Sequence, residues 1–243
     1  MVNMRVVSWN VKRAAKTAGP VADAIKYYRP SLVALQEFNE SISGGKILSE
    51  SLGAAGYVRA GHPARAAPFR TIIFALESVS LEPLPVDLKA CDPFWTEVKY
   101  RDVGVSAVHI PLQTKTTTAL REAHWKSVLF LAKSVGSAKR LIIDDFNTTR
   151  HHIDEIGKSV PGDNLLRDLE AASWTEAWRE LHHNPALPQY AWQHPTRSQF
   201  RLDQAWLSPA LQPCLKEVQY DHDVRLERLS DHSMMIVDFD IPE

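Results

Sequence analysis

The chain has 243 residues, of which 44% are apolar, and its formal net charge at neutral pH is −1. This apolar fraction supports a sizeable core, and a sequence without repeats or a linker predicts one domain spanning residues 1–243. A net charge near zero argues against generic binding to long nucleic acid, which depends on many phosphate contacts and usually shows a basic surplus. Local clusters of charge could still hold a short substrate.

The first residues run directly into a predicted strand, and no apolar run is long enough for a signal peptide or a membrane span. The sequence therefore predicts a cytoplasmic protein without a membrane partner. Its two cysteines, Cys91 and Cys214, are far apart and have no metal-like spacing. One disulfide is possible, but two reduced thiols are the better prediction for this composition.

Strand patterns and helical patterns alternate along the chain. In chain order they predict a strand at Met4–Trp9, a helix at Val21–Tyr28, a strand at Leu32–Gln36, a helix at Lys46–Ala54, strands at Thr71–Leu76, Trp95–Tyr100 and Val103–Val108, a helix at Thr118–Val135, a strand from Leu141, helices at Asp163–Ala171 and Trp174–Leu181, and strands at Arg201–Leu207 and Met234–Phe239. Strands in hairpin-like succession, interrupted by helices, indicate an α/β fold of two packed, mainly antiparallel sheets flanked by helices.

The segment Leu141–Asn147 combines a buried-strand pattern with a carboxylate and a carboxamide two residues apart. On extended backbone, Asp145 and Asn147 share a face, while Phe146 points the other way into packing. The two polar side chains can then converge on one reacting group. An Asp and an Asn after a strand also commonly cap a helix or close an Asx turn, so the motif alone leaves both interpretations open.

Other polar residues occur at strand ends in the same way. They are Asn10 after the first strand, Glu37 after the second, His109 after Val103–Val108, Asp203 within Arg201–Leu207, and Asp231 with His232 just before the last strand. Independent caps are a poor explanation for so many strand-associated polar sites. The pattern indicates one functional site assembled from several strands.

In this order, from Ser8-Trp9-Asn10 to Ser230-Asp231-His232, the residues resemble the endonuclease/exonuclease/phosphatase superfamily. That superfamily includes deoxyribonuclease I, exonuclease III, tyrosyl-DNA phosphodiesterase 2, neutral sphingomyelinases and inositol polyphosphate phosphatases. The individual motifs are short, but their conjunction over nearly the whole chain is specific. The resemblance implies a four-layer α/β sandwich with the site at one sheet edge. The segment from His109 to Leu112 is similar to the histidine-bearing branches rather than the tyrosine-bearing one, so abasic-site cleavage is less expected.

The resemblance also implies a role for each residue. Asn10, Glu37 and Asp231 are similar to the metal ligands, His109 to the phosphate-contacting histidine, Asp145 and Asn147 to the pair that positions the attacking water, and Asp203 to the carboxylate that orients His232. Oxygen-rich ligands suit a hard cation, most simply Mg²⁺ or Mn²⁺, which polarises a phosphodiester. General base action by Asp145 and hydrogen bonds from the two histidines would complete the hydrolysis.

Three further residues are less clear. Asp144 stands where the family usually has glycine, and on a strand it should face away from Asp145 and leave the site intact. Arg70 ends a segment with three arginines, residues 59–70, that could clamp a phosphate by bidentate contacts, and Trp192 could stack on a base. A solvated loop and a core or rim aromatic are the structural alternatives for these two residues.

The leading hypothesis is a metal-dependent nuclease or phosphodiesterase that acts on DNA ends, short single strands or small nucleotides. One alternative is a phosphatase or phosphodiesterase for inositol phosphates or phospholipids, although the sequence has neither a hydrophobic anchor nor a long basic loop. Another is a nucleic-acid-binding module that has lost catalysis, which the completeness of the polar set argues against. The sequence does not indicate an oligomeric state.

Overall fold

The computed structural model describes residues 1–12, 17–60, 69–76, 80–81, 93–183, 189–193 and 198–242. The α-helices in these ranges are α1 (Ala18–Tyr28), α2 (Ser43–Ala54), α3 (Thr118–Ser134), α4 (Asp163–Ala171), α5 (Ala177–Leu181) and α6 (Asp223–Leu226). The strands are β1 (Val2–Asn10), β2 (Leu32–Phe38), β3 (Val58–Ala60), β4 (Arg70–Ala75), β5 (Ser80–Leu81), β6 (Trp95–Tyr100), β7 (Val103–Val108), β8 (Lys139–Asp145), β9 (Glu155–Ile156), β10 (Thr175–Glu176), β11 (Trp192–Gln193), β12 (Gln199–Phe200), β13 (Asp203–Leu207), β14 (Leu215–Asp221) and β15 (Met234–Ile241).

The strands form two large sheets and one small one. The first sheet has the order β14-β15-β1-β2-β4-β3, the second β10-β13-β8-β7-β6-β5, and the small sheet β11-β12-β9. Only β1 with β2 and β7 with β8 pair in parallel among the described strands. A helical crossover connects each parallel pair, α1 in the first sheet and α3 in the second, as parallel neighbours require. The predicted mainly antiparallel sheets are confirmed.

The side-chain alternation of the strands builds four layers. In β1, Met4 and Val6 belong to the core between the two sheets, whereas Val7 and Trp9 pack in a separate core with α1 and α2. In β8, Leu141 and Ile143 face the first sheet. Ile142 packs instead in a third core with residues of α3 and α4. The α/β sandwich predicted from the sequence is therefore confirmed, with helices on the outer face of each sheet.

Two element boundaries differ from the predicted pattern. Helix α2 begins at Ser43, so Gly44 and Gly45 lie inside its first turn and do not precede it. A Cβ on Gly45 would lie 1.8 Å from the carbonyl oxygen of Asn39, which shows that glycine serves a close backbone approach here. Helix α1 likewise begins at Ala18 and includes Pro20, which is tolerated in a first turn because its missing N–H has no helical partner there.

The predicted helix at Trp174–Leu181 is wrong in its first half. Thr175 and Glu176 form β10, which pairs antiparallel with Leu207 and Trp206 of β13. The helix begins only at Ala177, because the Glu176 carboxylate accepts the backbone N–H of Trp178 at 3.3 Å and that of Arg179 at 3.1 Å. This carboxylate is an N-cap, which starts a helix and does not continue one.

The topology brings the predicted site residues to one end of the sandwich. The carboxyl ends of the parallel strands β1 and β2 share an edge, as do those of β7 and β8. In the antiparallel partner of β8, Asp203 pairs with Asp145, and β15 begins beside the end of β1, where Met235 pairs with Ser8. Strand ends and strand starts from across the chain therefore meet at this edge.

None of the described helices is long and apolar enough to cross a membrane. Cys214 is a buried free thiol, and Cys91 lies outside the described residues.

Candidate active site

A cavity of about 660 Å³ lies at this end of the two sheets. Most of the residues singled out in the sequence line it, namely Glu37, His109, Asp145, Asn147, Trp192, Asp231 and His232. Asn10 and Asp203 lie directly behind the lining and hydrogen bond to it. Arg70 is not in the lining that the described residues form, and begins β4 opposite Phe38. Most of the rest of the arginine-bearing segment, residues 61–68, lies outside the described residues.

His232 and Asp203 form a buried hydrogen-bonded pair. The imidazole Nδ1 lies 2.9 Å from Asp203 Oδ2, and both side chains are almost fully shielded from solvent. Burial alone would lower the pKa of His232, but the nearby charge and hydrogen bond of Asp203 raise it to about 9. The backbone of this histidine is held by Trp9, whose indole N–H donates to the His232 carbonyl at 3.0 Å. At neutral pH the ring is a fixed imidazolium with Nε2 directed towards the cavity.

Asp145 lies between two imidazoles without hydrogen bonding to either. Its Oδ2 is 3.7 Å from His109 Nε2 and 4.0 Å from His232 Nε2, which exceeds hydrogen-bond length in both cases. Burial raises the pKa of Asp145, Asp203 adds to this shift, and the two histidines oppose it. The gap leaves room for an oxygen atom of a substrate or a water to bridge the three groups.

Asn147 reaches the cavity through a turn, so its predicted placement on extended backbone is wrong. Strand β8 ends at Asp145, and Asn147 has a φ of +44° in the left-handed region, which asparagine tolerates better than most residues. Its backbone N–H donates to Asp145 Oδ1 at 2.9 Å, closing an Asx turn. Its side-chain amide donates to the Ile110 carbonyl at 3.0 Å. The turn and the convergence, which were alternatives in the sequence, are both present.

Asn10 and Glu37 meet at the adjacent strand ends, where Glu37 offers carboxylate oxygens. The Asn10 Oδ1 accepts the backbone N–H of Lys12 at 3.1 Å, so Asn10 would have to turn its amide to become a metal ligand. Asn10 Nδ2 lies 3.3 Å from Glu37 Oε1 and 3.3 Å from Asp145 Oδ2, which brings the three side chains together. Glu37 has a φ of +51° within an irregularity of the pairing between β2 and β4, and such backbone strain is common at functional sites. Amide and carboxylate oxygens without sulfur suit a hard cation such as Mg²⁺ or Mn²⁺. The residues present therefore fit the predicted metal.

Asp231 is engaged by a cation of the chain itself. Lys12 Nζ lies 2.8 Å from Asp231 Oδ2, and the Asp231 side chain is 33% exposed. Burial would raise the pKa of Asp231, but Lys12 and His232 bring it below its usual value. Asp231 lines the cavity with Glu37, but it would have to release Lys12 to become a metal ligand.

A second candidate metal group consists of Asp145, Asp203 and His232, whose ligand atoms all lie within 4.8 Å of one another. The contact with Asp203 uses the imidazole Nδ1, which leaves Nε2 as the His232 atom that could meet a metal. Two candidate metal groups therefore adjoin the cavity, this one and the predicted set of Asn10, Glu37 and Asp231.

Asp144 does not face away from Asp145, contrary to the prediction. Its φ of +130° breaks the strand alternation, and its Oδ1 accepts a hydrogen bond from Ser8 Oγ at 2.5 Å, on the same strand of the first sheet as Asn10. The side chain is fully buried between the sheets. Burial raises the pKa of Asp144 well above its usual range, although hydrogen bonds from Ser8 and Gln36 oppose the shift. Asp144 is thus a buried acid whose carboxyl group has a raised pKa.

One side of the cavity is apolar. Trp192 stacks on Phe200 with ring centroids 5.6 Å apart, and the cluster that they join also contains Val160 and Leu202. We call these four residues the apolar wall. Trp192 is half-buried and its ring lies 6.4 Å from that of His232. The predicted alternatives for Trp192, stacking surface and rim aromatic, are both compatible with this position.

Sequence reasoning missed several residues around the cavity. Phe200 and Leu202 precede Asp203 with strand spacing, which would have placed them on one face. Arg121 shares a helical stripe with the buried Trp125 and Val128, so an arginine among apolar residues was the available signal. Lys12 follows Asn10 by two residues and carried no comparable signal.

No protein-family model matches this chain, and no curated protein matches it in sequence. Solved structures do match over nearly its whole length. A 3′ phosphatase, NExo from Neisseria bound to a product DNA hairpin, aligns with a TM-score of 0.81 and 18% identity over 98% of this chain and 100% of its own. An AP endonuclease from Archaeoglobus fulgidus has a TM-score of 0.79 and 16% identity over 98% and 100%. A humanized TDP2 from D. rerio has a TM-score of 0.72 and 16% identity over 98% and 99%. The chain thus has the fold of the endonuclease/exonuclease/phosphatase superfamily, as its strand-end residues had indicated.

Proposed function

We propose that this chain is a Mg²⁺- or Mn²⁺-dependent phosphodiesterase that cleaves nucleic acid, with DNA ends or short strands as its substrates. The observation that carries this proposal is the gap between Asp145 and the imidazoles of His109 and His232, with distances of 3.7 and 4.0 Å. A carboxylate faced by two imidazole N–H groups suits an anionic phosphoryl group and a water, and does not suit a neutral ligand.

Each of the site residues would have a separate role in hydrolysis. Asp145, held by the Asn147 backbone N–H, would orient a water and accept its proton. His232, kept cationic by Asp203, would donate from Nε2 to a phosphoryl oxygen, and His109 would donate from the other side. Asn10 and Glu37, with Asp231 as a candidate third ligand, would hold the metal. When bound, the metal supplies charge neutralisation for the phosphodiester.

The shape of the cavity favours nucleic acid over inositol phosphates. The apolar wall offers a surface for a sugar or a base, which an inositol ring decorated with phosphates would not use. Among the described lining residues, lysine supplies only two cations, Lys12 and Lys158, whereas several phosphates would need more. The structural neighbour NExo is bound to a DNA hairpin, and an AP endonuclease and a TDP2 are also among the neighbours. These features support a DNA substrate.

We also propose that residues 1–243 act as one cytoplasmic catalytic unit. Ser230 Oγ donates to the Asn10 carbonyl at 2.6 Å, so the site joins residues from both ends of the sequence. The buried free thiol of Cys214 fits a reducing compartment.

The test combines metal binding with turnover. Glu37→Gln keeps the side-chain shape and removes the charge, so Mg²⁺ affinity measured by calorimetry and hydrolysis of a short oligonucleotide should both fall by about tenfold or more. Glu40→Gln is the matched control, because Glu40 lies in the same connection and pairs with Arg59 at 2.6 Å. Inositol phosphates and bis-p-nitrophenyl phosphate run beside DNA and RNA separate the candidate substrates. Tight DNA binding without turnover of any phosphodiester would support the binding module instead.

A further inference from the structure

Arg121 is a buried arginine whose described partners are all neutral. It lies on α3 and is 4% exposed. Its Nη1 donates to the Pro111 carbonyl at 3.0 Å, and its Nη2 donates to Thr148 Oγ1 at 2.5 Å and to the Pro161 carbonyl at 2.8 Å. Among the residues that the structure describes, no carboxylate forms a hydrogen bond or ion pair with this guanidinium.

Burying a cation without a carboxylate partner costs folding free energy, so a stabilising role alone does not explain this arrangement. Burial lowers the pKa of Arg121 to about 10, although the negative charge of Asp145 opposes this shift, and the side chain stays cationic at neutral pH. A buried cation usually has a carboxylate partner, because neutral acceptors only partly replace its hydration. The buried Arg201 of this chain follows that rule, since Asp154 and Glu176 both pair with it.

The three acceptors have a common property, which is that each belongs to a segment lining the cavity. Pro111 lies two residues after His109, Thr148 follows Asn147, and Pro161 follows Val160 of the apolar wall. Two of these segments also hydrogen bond directly, since the Asn147 amide donates to the Ile110 carbonyl at 3.0 Å, and the guanidinium joins the third segment to them. The planar fork of an arginine fixes several acceptors at once, which a lysine cannot do.

We propose that Arg121 is a positioning residue for the phosphoryl-transfer site. Its fork sets the distance of His109 and Asn147 from Asp145, and its charge, with which no described carboxylate forms an ion pair, adds positive potential on the side where negative charge accumulates during hydrolysis. It does not line the cavity that contains Asp145, so it acts without touching substrate. This inference rests on the proposed phosphodiesterase function, and it deepens that function by adding a residue behind the site.

A second pocket makes the proposal testable by chemical rescue. Arg121 also borders a pocket of about 240 Å³ on the outer side of α3, together with Gln113, Thr118, Glu122, Trp125 and Leu165. Truncation of Arg121 to alanine would open a space continuous with this pocket. A small planar cation such as methylguanidinium can then enter from solvent and remake the three hydrogen bonds.

The experiment compares wild type, Arg121→Ala, Arg121→Lys and the control Arg140→Ala. Arg140 lies on β8 near Glu97, at the opposite end of the strand from Asp145. We expect Arg121→Ala to lower kcat by about 10 to 100-fold with KM changed by less than about threefold, because misplacement of catalytic groups costs rate. Millimolar methylguanidinium should restore kcat at least about threefold, whereas ammonium chloride at the same concentration should not. Arg121→Lys, which keeps the charge and loses the fork, should fall between wild type and Arg121→Ala.

Hydrogen exchange gives a readout that does not depend on activity. In Arg121→Ala the backbone N–H groups of the non-proline residues in 109–113, 146–149 and 160–162 should exchange faster, and methylguanidinium should slow them again. A kcat equal to that of the wild type in both Arg121→Lys and Arg121→Ala would overturn the proposal. Unchanged exchange in all three segments would also overturn it. If Arg121→Ala does not fold, Arg121→Lys carries the same comparison of kcat and exchange. An inactive wild type would refute the proposed function, and the exchange data would still decide whether Arg121 orders the three segments.

Discussion

Two groups of buried or partly buried charges are organised in opposite ways. The structural cluster consists of Asp154, Glu176, Arg179 and Arg201, and the site cluster of His109, Asp145, Asp203 and His232. In the structural cluster Arg201 Nε lies 2.9 Å from Asp154 Oδ1, and its Nη1 lies 2.8 Å from Glu176 Oε1. Burial would raise the pKa of Asp154, yet Arg201 and Arg179 bring it below its usual value.

In the site cluster the pairing is incomplete. Asp203 Oδ1 and His109 Nδ1 have no hydrogen-bond partner among the described residues, and the pKa of Asp145 is raised by burial. Buried polar groups are usually satisfied, and exceptions commonly mark functional sites. The difference teaches that this fold satisfies the charges of the structural cluster with ion pairs and leaves charges of the site cluster open to substrate.

The largest expected effect follows from removal of the central carboxylate. Asp145→Asn should lower kcat for oligonucleotide hydrolysis by about 10²–10⁴-fold, because the water loses its general base. Asn147→Ala should lower kcat less, and the double variant should be no worse than Asp145→Asn, since residues that act as one unit are not additive. If the increases in activation free energy of the two single variants add up in the double variant, measured in the same metal buffer, Asp145 and Asn147 act separately.

The structural cluster should respond in stability and much less in rate. Arg201→Met leaves the carboxylates of Asp154 and Glu176 buried with less compensation, so the free energy of unfolding should fall by about 3–5 kcal/mol in urea titration. The control is Arg167→Met, because Arg167 forms an exposed pair with Asp163 within α4, worth about 0.5 kcal/mol. A loss below about 1 kcal/mol for Arg201→Met would show that this cluster does not stabilise the fold.

Within the site cluster, the charge of Asp203 is a cause of the raised pKa of His232. Asp203→Asn should lower that pKa from about 9, as NMR titration of the ring would show, and move the alkaline limb of kcat/KM to lower pH. Because the folded-state pKa lies above the usual 6.5, the stabilisation from His232 is fully present below pH 6.5 and lost as pH rises through about 9. An unchanged ring pKa in Asp203→Asn would rule out the partnership.

The smallest expected effect concerns Asp144, which belongs to neither cluster. Because its pKa is raised in the folded protein, an unfolded chain ionises it at lower pH, so Asp144 destabilises the fold increasingly as pH rises from its usual pKa of 3.8. Asp144→Asn removes this ionisation from the unfolded chain, so it should raise the free energy of unfolding at pH 7.5 by at least about 1 kcal/mol, and not at pH 3.5. Equal stabilities of the two proteins at pH 7.5 would mean that Asp144 is ionised.

Periodicity predicted the sandwich because its strands bury side chains on defined faces, as Val6 and Val7 do on the two sides of β1. It failed at Thr175 and Glu176, since a two-residue strand has no period to detect. It also failed at Asp144 and Asn147, because a positive φ is set by tertiary contacts that a sequence pattern does not contain.

The candidate site was predictable where a polar residue follows an apolar strand, because strand ends that share an edge converge. His109, Asp145 and Asn147 follow strand patterns in this way or end them, whereas Asp203 begins β13 and His232 precedes β15. Arg121 was not, because a helix interior offers no such rule, and its partners are backbone carbonyls and a threonine in three separate segments. Every residue carries a backbone carbonyl, so the sequence does not show which carbonyls a buried side chain will bind.

The central place of β15 in the first sheet has a consequence for folding kinetics. This strand lies between β14 and β1, and the residues just before it join the start of the chain through contacts such as Trp9 Nε1 with the His232 carbonyl, across 223 positions. Contacts of such long sequence separation form slowly, because the loop that they close carries a large entropy cost. After dilution from denaturant, recovery of helical circular dichroism should therefore precede recovery of phosphodiester hydrolysis. The rate at which hydrolysis recovers would then report the docking of β15.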